Sequence, residues 1–167
     1  YQGGVLHNYA EAYMATQDQK WLNEASLIKK YLYDNLLSKT DSLFYNSQEE
    51  YISLLDLSKT IEPEIYFNLS LEERKKYGQP PIDKTIYTDI NFRIVRGLLK
   101  LFQANKDSSD LKLAISLANN IVKKAYQSNG WFKTVISNNN SNTRMRLLPS
   151  DSSQKNVIYL KPQAQAA

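Results

Sequence analysis

Apolar side chains recur at steps of three and four residues in four segments of the chain, which places them on one face of a helix in each segment. These segments cover residues 5–15, about 18–36, about 88–104 and about 109–126. A shorter helix is predicted over about 71–77, just before the breaking sequence Gly78-Gln79-Pro80-Pro81. The pattern predicts an all-α fold in which four long helices carry the core.

The stretch between the second and third long helices, residues 46–86, shows no sustained periodicity. Two Ser-x-x-Glu patterns occur in it, Ser47 with Glu50 and Ser70 with Glu73, and both fit the capping box that begins a helix. We therefore predict two helical hairpins that flank an irregular middle insertion.

The two hairpins align with each other at an offset of 89 residues. The turn residue Asp18 falls on Asp107, and with a slip of one residue the aromatic return at Phe44 falls on Phe132. The other matches are Tyr13 on Phe102, Ala15 on Ala104, Leu22 on Leu111, Ala25 on Ala114, Ile28 on Leu117 and Leu32 on Ile121. Helical periodicity alone would not readily reproduce the turn and the return, so we interpret the chain as a duplicated αα-hairpin.

Repeated αα-hairpins bury their core by stacking, either in an open solenoid or in a closed ring. In the ring form the inner helices converge on a central cleft. Two long hairpins would make a partial (α/α) toroid, and a segment of this size should leave apolar positions uncovered on its terminal helices. We expect Leu6, Tyr13, Leu117 and Ile121 to be partly exposed and to favour association.

We divide the chain into an αα-hairpin (half-toroid) domain over residues 1–134 and an extension over residues 135–167. The extension contains an Asn/Ser run at 138–142 that cannot form a core. Its one apolar tetrad is the candidate for docking on a protein partner, and consists of Val157, Ile158, Tyr159 and Leu160.

Composition excludes several classes of site. The sequence has no Cys and a single His, so disulfides, a thiol nucleophile and Cys- or His-based zinc sites are excluded, and no metal or cofactor is predicted. The net charge of +4 is small and the basic residues are dispersed, so nucleic acid is not an expected partner. No apolar stretch approaches the roughly 18 residues of a transmembrane segment.

Two segments resemble a known family. Residues 9–18, YAEAYMATQD, resemble a helix and turn common in α/α toroids. Residues 65–91 resemble the linker and third helix of the thioredoxin-domain-containing proteins that include the spermatogenesis-associated form. That family is similar in fold to N-acylglucosamine 2-epimerases and six-hairpin glycosidases. The resemblance spans about residues 5–134, and it implies an α/α-toroid lineage without implying an activity.

The family pattern is altered at its acidic segment. Residues 44–49 resemble the aromatic-Ser-x-Asp-Ala-Asp segment of the family, but Glu49, Glu50 and Tyr51 replace its acidic motif. Ile90 stands where the family usually has a Trp between Asp and Asn. These departures favour a binding function over an inherited reaction.

Four polar residues are the candidates for ligand binding. Asp89 and Asn91, at the start of the third long helix, would face the cleft and bind a hydroxylated ligand, unless Thr88 or Asp89 instead caps that helix. Glu11 could pair with Asp89 as the two carboxylates of a glycosidase, and His7, one turn away, could act as a base. The alternative for Glu11 and His7 is a solvated Glu and a hydrogen-bonded His on an ordinary helix.

Two functions remain open at this point. The favoured one is a non-catalytic binding or assembly module, a half-toroid that acts as a subunit of a larger complex or as a homo-oligomer. The other is a fragment of a carbohydrate-active or epimerase-like α/α-toroid enzyme. Trp21 and Trp131 could then be sugar platforms, although both fall where the repeat packs, which favours a place in the core.

Overall fold

In the computed structural model, residues 2–52, 61–138 and 164 are described. Four long helices form the body: α1 (Gln2–Thr16), α2 (Lys20–Tyr31), α5 (Thr88–Asn105) and α6 (Ser108–Ala125). A π-helical turn, Leu32–Leu36, extends α2, and the middle segment holds the short helices α3 (Pro63–Asn68) and α4 (Leu71–Arg74). The predicted mostly helical fold is confirmed. Of the described helices, none is both long and apolar enough to cross a membrane.

Three antiparallel pairs of short strands connect the helices. They are β1 (Leu37–Ser38) with β2 (Leu43–Phe44), β3 (Ser47–Gln48) with β4 (Ile82–Asp83), and β5 (Thr85–Tyr87) with β6 (Val135–Asn138). The segment 82–87, which leads into α5, therefore lies between the ends of the two hairpins. Strand β6 lies beyond residue 134, and the division of the chain at that residue stays a prediction. The predicted docking residues 157–160 lie outside the described residues.

The internal duplication is visible in the backbone of both hairpin turns. Gln17 (φ 56°) and Lys106 (φ 59°) are equivalent at the offset of 89, and both adopt the left-handed conformation that closes a helix. The amide of each donates to a carbonyl four residues back, at 2.7 and 2.9 Å. The carboxylates of Asp18 and Asp107 then accept from the amide two residues later, at 3.0 and 2.8 Å. The same turn is thus built twice.

The returns that follow the second helix of each hairpin are also equivalent. Leu37 pairs with Phe44 in the first hairpin, and Tyr126 forms a bridge to Phe132 in the second. The loop between the paired residues is one residue shorter in the second hairpin, which accounts for the slip in the sequence alignment.

The core lies between the two hairpins, where α5 packs on α1 and α6 packs on the β1–β2 return. Leu6, Leu117 and Ile121 are at most 4% exposed, so the expectation that these residues are uncovered is wrong. The apolar stripes of the helices face the other hairpin, so each hairpin buries the apolar stripes of its partner. Tyr13 is half-buried.

The first helices of the two hairpins cross in close contact at two glycines. A Cβ atom on Gly97 would lie 2.6 Å from the carbonyl oxygen of Gly3, and a Cβ atom on Gly3 would lie 2.6 Å from the backbone of Arg93. The helices run in the same direction, because Gly3 meets Arg93 near their beginnings and Glu11 meets Lys100 further along. This close crossing places the polar side chains of α1 next to those of α5, as in the contact of Glu11 with Lys100.

An ion pair between half-buried Lys29 and buried Asp110 joins the second helices of the hairpins. The fully buried Asp110 carboxylate accepts from Lys29 Nζ at 2.7 Å and from Asn105 Nδ2 at 2.9 Å. Burial, and secondarily the negative charge of Asp110, raises the pKa of Tyr33 to about 12. These contacts anchor the α5–α6 turn to α2.

Only one of the two predicted capping boxes begins a helix. The Ser70 side chain accepts from the Glu73 amide while the Glu73 carboxylate accepts from the Ser70 amide at 2.9 Å, and this box begins α4. Ser47 lies in β3 instead, where pairing with β4 engages its backbone. The expectation for Ser47 is therefore wrong, because a distant strand decides the local conformation.

Candidate functional site

One side of α1 and α5, turned away from the core, forms a continuous polar surface. Its residues recur at helical spacing, and the offset of 89 relates His7 to Arg96, Glu11 to Lys100 and Gly4 to Arg93. We call this surface the shared polar face and define it by His7, Asn8, Glu11, Arg93, Arg96 and Lys100. All six side chains are exposed or half-buried. Duplication has thus placed two polar stripes next to each other.

An open groove of about 320 Å³ lies between the two helices at the end where they begin. It is lined by Gly3, Gly4, His7, Asn8, Arg93 and Arg96. A Cβ atom added at Gly4 would have no other atom within 4 Å, so the space beside this glycine is open. The volume is at the lower end of the range for small-molecule sites, roughly 300–1,000 Å³.

The charges of the shared polar face are paired along the two helices. Glu11 Oε1 lies 3.3 Å from His7 Nε2 and 3.4 Å from Lys100 Nζ. Arg93 Nη2 lies 3.8 Å from Asp89 Oδ2. The structure therefore brings the predicted pair His7 and Glu11 together and adds Lys100 to it.

Asp89 is in the first turn of α5 and is 7% exposed. The helix begins after Tyr87, whose side chain makes no capping hydrogen bond. The Thr88 hydroxyl donates to the Lys133 carbonyl at 2.6 Å and so joins α5 to the end of the second hairpin. The alternative in which Thr88 or Asp89 caps the helix is wrong, because both positions lie inside it.

Asn91 is fully buried and faces the interior. Its Oδ1 accepts from the Phe44 amide at 2.8 Å, while its Nδ2 donates to the carbonyls of Phe44 and Tyr87, each at 2.9 Å. Among the described strands, none pairs with β2 on that side, and the Asn91 side chain takes up the backbone hydrogen bonds there. Asn91 therefore connects the two hairpins, and the prediction that it faces a ligand is corrected.

Glu11 and Asp89 do not form a carboxylate pair. Glu11 contacts Lys100, which follows Asp89 by eleven residues, or roughly 16 Å along the axis of α5. Glycosidase carboxylates stand roughly 5–9.5 Å apart. The two acids therefore lie at different levels along the two helices, and only Glu11 is part of the shared polar face.

Neither tryptophan lies in the core. Trp131 is 44% exposed, and Trp21 is half-buried against Tyr9, with ring centroids 5.7 Å apart. The preference for a core position is therefore wrong for both. At Trp131 the reason is that the return of the second hairpin packs Phe132 against Phe92 and leaves the preceding side chain outside.

Four residues of the face were not predicted from the sequence: Asn8, Arg93, Arg96 and Lys100. The signal that could have found three of them was present: applying the offset of 89 to Gly4, His7 and Glu11 gives the three basic residues. Within the described residues, no cluster of three or more His, Asp or Glu side chains could hold a metal ion. The chemistry available on the face is that of hydrogen-bond donors and acceptors: one amide, one imidazole, one carboxylate and three cations.

No protein-family model matches the sequence, and no curated protein matches it. The fold is nevertheless shared with solved structures. A sugar epimerase from a ruminal bacterium matches 99% of this chain with a TM-score of 0.63 and 16% identity. A glycoside hydrolase family 76 mannosidase and a family 76 α-mannanase, both from Bacteroides thetaiotaomicron, match 75% and 80% of the chain, with TM-scores of 0.54 and 0.57 and identities of 21% and 20%.

The chain spans about a third of the length of these proteins, 35% of the epimerase and 28% and 30% of the two family 76 enzymes. The likeness at this identity shows the fold. The two hairpins are therefore a partial α/α toroid, as the duplicated sequence predicts.

Proposed function

We propose that this chain forms one wall of a sugar-binding cleft in an α/α-toroid protein, with the shared polar face as the surface that contacts the sugar. The observation that carries the proposal is the pair of polar stripes on two parallel helices, which share two equivalent positions, His7 with Arg96 and Glu11 with Lys100.

The chemistry of the face suits a polyhydroxylated ligand. Glu11 offers carboxylate oxygens that accept from sugar hydroxyls, and Asn8 offers both a donor and an acceptor. His7 and Lys100 hold the Glu11 carboxylate between them at 3.3 and 3.4 Å, which orients it without burying it. With Asp89 at the far end of α5, we assign binding rather than bond cleavage to these residues.

The structural neighbours support a carbohydrate ligand. The proteins that share the fold are named as a sugar epimerase, a mannosidase and an α-mannanase. The resemblance of residues 65–91 to the thioredoxin-domain-containing family stays a prediction.

Saturation-transfer NMR on the 167-residue chain tests the proposal, because it detects weak sugar binding directly. We expect signals from at least one neutral or acidic mono- or disaccharide, and we expect the double variant with Asn8→Leu and Glu11→Gln to reduce them at least five-fold. The matched control is Lys112→Gln, an exposed residue of α6 that does not line the groove. Equal signals from all three proteins would contradict the proposal.

A second candidate function, assembly, is favoured by an asymmetry between the two hairpins. Ala10 of α1 is fully buried beneath α5, whereas its equivalent, Leu99, is 37% exposed. Tyr33 is half-buried against Phe44, whereas its equivalent, Val122, is 47% exposed. We propose that a further αα-hairpin packs on Leu99 and Val122 as the second hairpin packs on the first. A role of residues 157–160 in docking stays a prediction.

A further inference from the structure

Two ion pairs join the second hairpin to the first. Lys29 Nζ of α2 lies 2.7 Å from the buried carboxylate of Asp110, and Lys124 Nζ lies 2.8 Å from Asp41 Oδ1. Asp110 is in the first turn of α6 and Lys124 is in its last turn. A hairpin that packs in this way thus carries an acid at the start and a base at the end of its second helix, and the hairpin beneath carries the opposite charges.

The second hairpin itself carries an uncovered equivalent of the surface on which it packs. At the return turns, Ser42 (φ 53°) and Gly130 (φ 86°) are equivalent, and both adopt the left-handed conformation. Leu43, after the first of these residues, is fully buried, whereas Trp131, after the second, is 44% exposed. We call the uncovered surface the outer face of the second hairpin and define it by Leu99, Val122, Tyr126 and Trp131.

The charges of the first hairpin are absent from the equivalent positions of the second. Ala118 stands at the position of Lys29, and Asn129 stands at the position of Asp41. Neither residue can neutralise a charge that is buried against it, and a buried charge without a partner is costly. A hairpin that packs on the outer face of the second hairpin therefore needs uncharged residues at both ends of its second helix.

The first hairpin of this same chain meets that requirement. Trp21 and Asn35 stand at the two positions that carry the ion-pairing charges in the second hairpin. Against the outer face of the second hairpin they would form an apolar pair with Ala118 and an amide pair with Asn129. Two ion pairs are thus exchanged for two uncharged pairs, and in each case both members change together.

The matching surface of the first hairpin is also less covered. We call it the outer face of the first hairpin and define it by Val5, Tyr9, Trp21 and Ile28, all of which are half-buried. The equivalents of its three other residues beside Trp21 are at most 4% exposed in the second hairpin, and they are Ile94, Leu98 and Leu117. Each hairpin therefore leaves uncovered the equivalent of the surface that the other one uses in the contact between them.

From these matches we propose that the chain binds a second copy of itself head to tail, with the outer face of the first hairpin of one copy on the outer face of the second hairpin of the other. This inference rests on the second candidate function, assembly, and names its partner. Because the two faces differ, the contact is heterologous and can continue beyond a dimer. The inner helices of two copies approach less closely than α1 and α5 do, because Phe92 stands at the position of Gly3.

Mixing two blocked variants of the full chain tests the proposal, because a head-to-tail contact needs only one intact face from each copy. One variant carries Leu99→Lys and Val122→Lys, and the other carries Val5→Lys and Ile28→Lys. Size-exclusion chromatography with light scattering at tens of micromolar measures the masses. We expect the mean mass of the wild type to rise with concentration past that of a dimer. Each variant alone should be a monomer, and their equimolar mixture should form a dimer and nothing larger.

Circular dichroism controls for folding, and Leu27→Lys, at an exposed position of α2, should associate as the wild type does. Val5→Lys alone replaces the second double variant if Ile28→Lys lowers the helix content, because Val5 lies outside the core cluster. A mixture that stays monomeric would overturn the proposal, and so would a variant that dimerises unmixed, since that would indicate a two-fold contact through one face. A wild type that stays monomeric but binds a hydrophobic dye would also overturn it, while the packing of a further hairpin would stand. None of these outcomes bears on sugar binding.

Discussion

Asn91 shows how one side chain can serve the fold at a position where the sequence pattern indicates a ligand. Three hydrogen bonds join it to Phe44 and Tyr87, and no strand of the described residues pairs with the Phe44 amide and carbonyl on that side. Asn91→Ala leaves buried backbone groups unpaired, so we expect the free energy of unfolding to fall by about 2–3 kcal/mol. Urea denaturation followed by circular dichroism measures it. The exposed Asn8→Ala should cost less than about 0.5 kcal/mol, and equal losses would contradict the role given to Asn91.

Asp41 is a second residue whose contribution to folding stability can be measured, because that contribution depends on pH. Lys124 Nζ donates to its Oδ1 at 2.8 Å and the Ser38 hydroxyl donates to its Oδ2 at 2.9 Å, and these bonds hold the pKa of Asp41 below its ordinary value of 3.8. A lowered folded-state pKa stabilises the protein above pH 3.8, and this contribution is lost as the pH falls through the folded-state value.

The stability difference between the wild type and Asp41→Asn should therefore be largest near neutral pH. It should shrink as the pH falls below 3.8. Denaturant titrations of both proteins between pH 6 and pH 2 measure the difference curve, in which the other acidic groups cancel. A difference that stays constant over this range would show that the Lys124 contact does not stabilise the folded protein.

At the scale of elements, the crossing of α1 and α5 depends on Gly97. Its Cβ position lies 2.6 Å from the Gly3 carbonyl oxygen, so Gly97→Ala must push the helices apart. We expect a loss of about 1–3 kcal/mol despite the better helix propensity of Ala. Gly4→Ala is the control: its Cβ would meet nothing within 4 Å, and the substitution should stabilise by about 0.5–1 kcal/mol. Thermal unfolding of both variants measures the change in stability. A stabilising effect of Gly97→Ala would show that the helices are not in close contact.

The long helices and the repeat could be predicted from the sequence because their signals are local or periodic. The turn at Asp18 recurs at Asp107, where each carboxylate accepts from the amide two residues later, and the return at Phe44 recurs at Phe132 with an equivalent strand pairing. The strands of the middle segment could not be predicted, because the conformation of Ser47 depends on Asp83, far along the chain.

The candidate site was predictable only in part. His7 and Glu11 lie one helical turn apart, so their proximity follows from the spacing alone. The side on which Asn91 lies depends on where Phe44 packs, which periodicity does not report. Arg96 and Lys100 are visible only when the repeat is applied to polar positions as well as apolar ones.

At the scale of the whole molecule, the second hairpin leaves apolar positions uncovered that are covered in the first. We expect the 167-residue chain to self-associate at tens of micromolar, with the α1–α2 hairpin of a second copy taking the place of the further hairpin. The double variant with Leu99→Lys and Val122→Lys should be a monomer with unchanged helix content, as measured by size-exclusion chromatography with light scattering. Leu27→Lys, at an exposed position of α2, should not change the mass. A wild-type monomer that binds no hydrophobic dye would contradict the proposal of a further hairpin.

The most direct test of sugar binding by the shared polar face is a ¹H–¹⁵N correlation spectrum of the labelled chain, titrated with glucose and glucuronate. We expect saturable shifts for the amides of residues 4–11 and 93–100, the parts of α1 and α5 that carry the face, and none above the noise for α6. Shifts confined to the second helices or to the middle segment, or no shifts at millimolar sugar, would contradict the assignment of this face as the wall of a sugar-binding cleft.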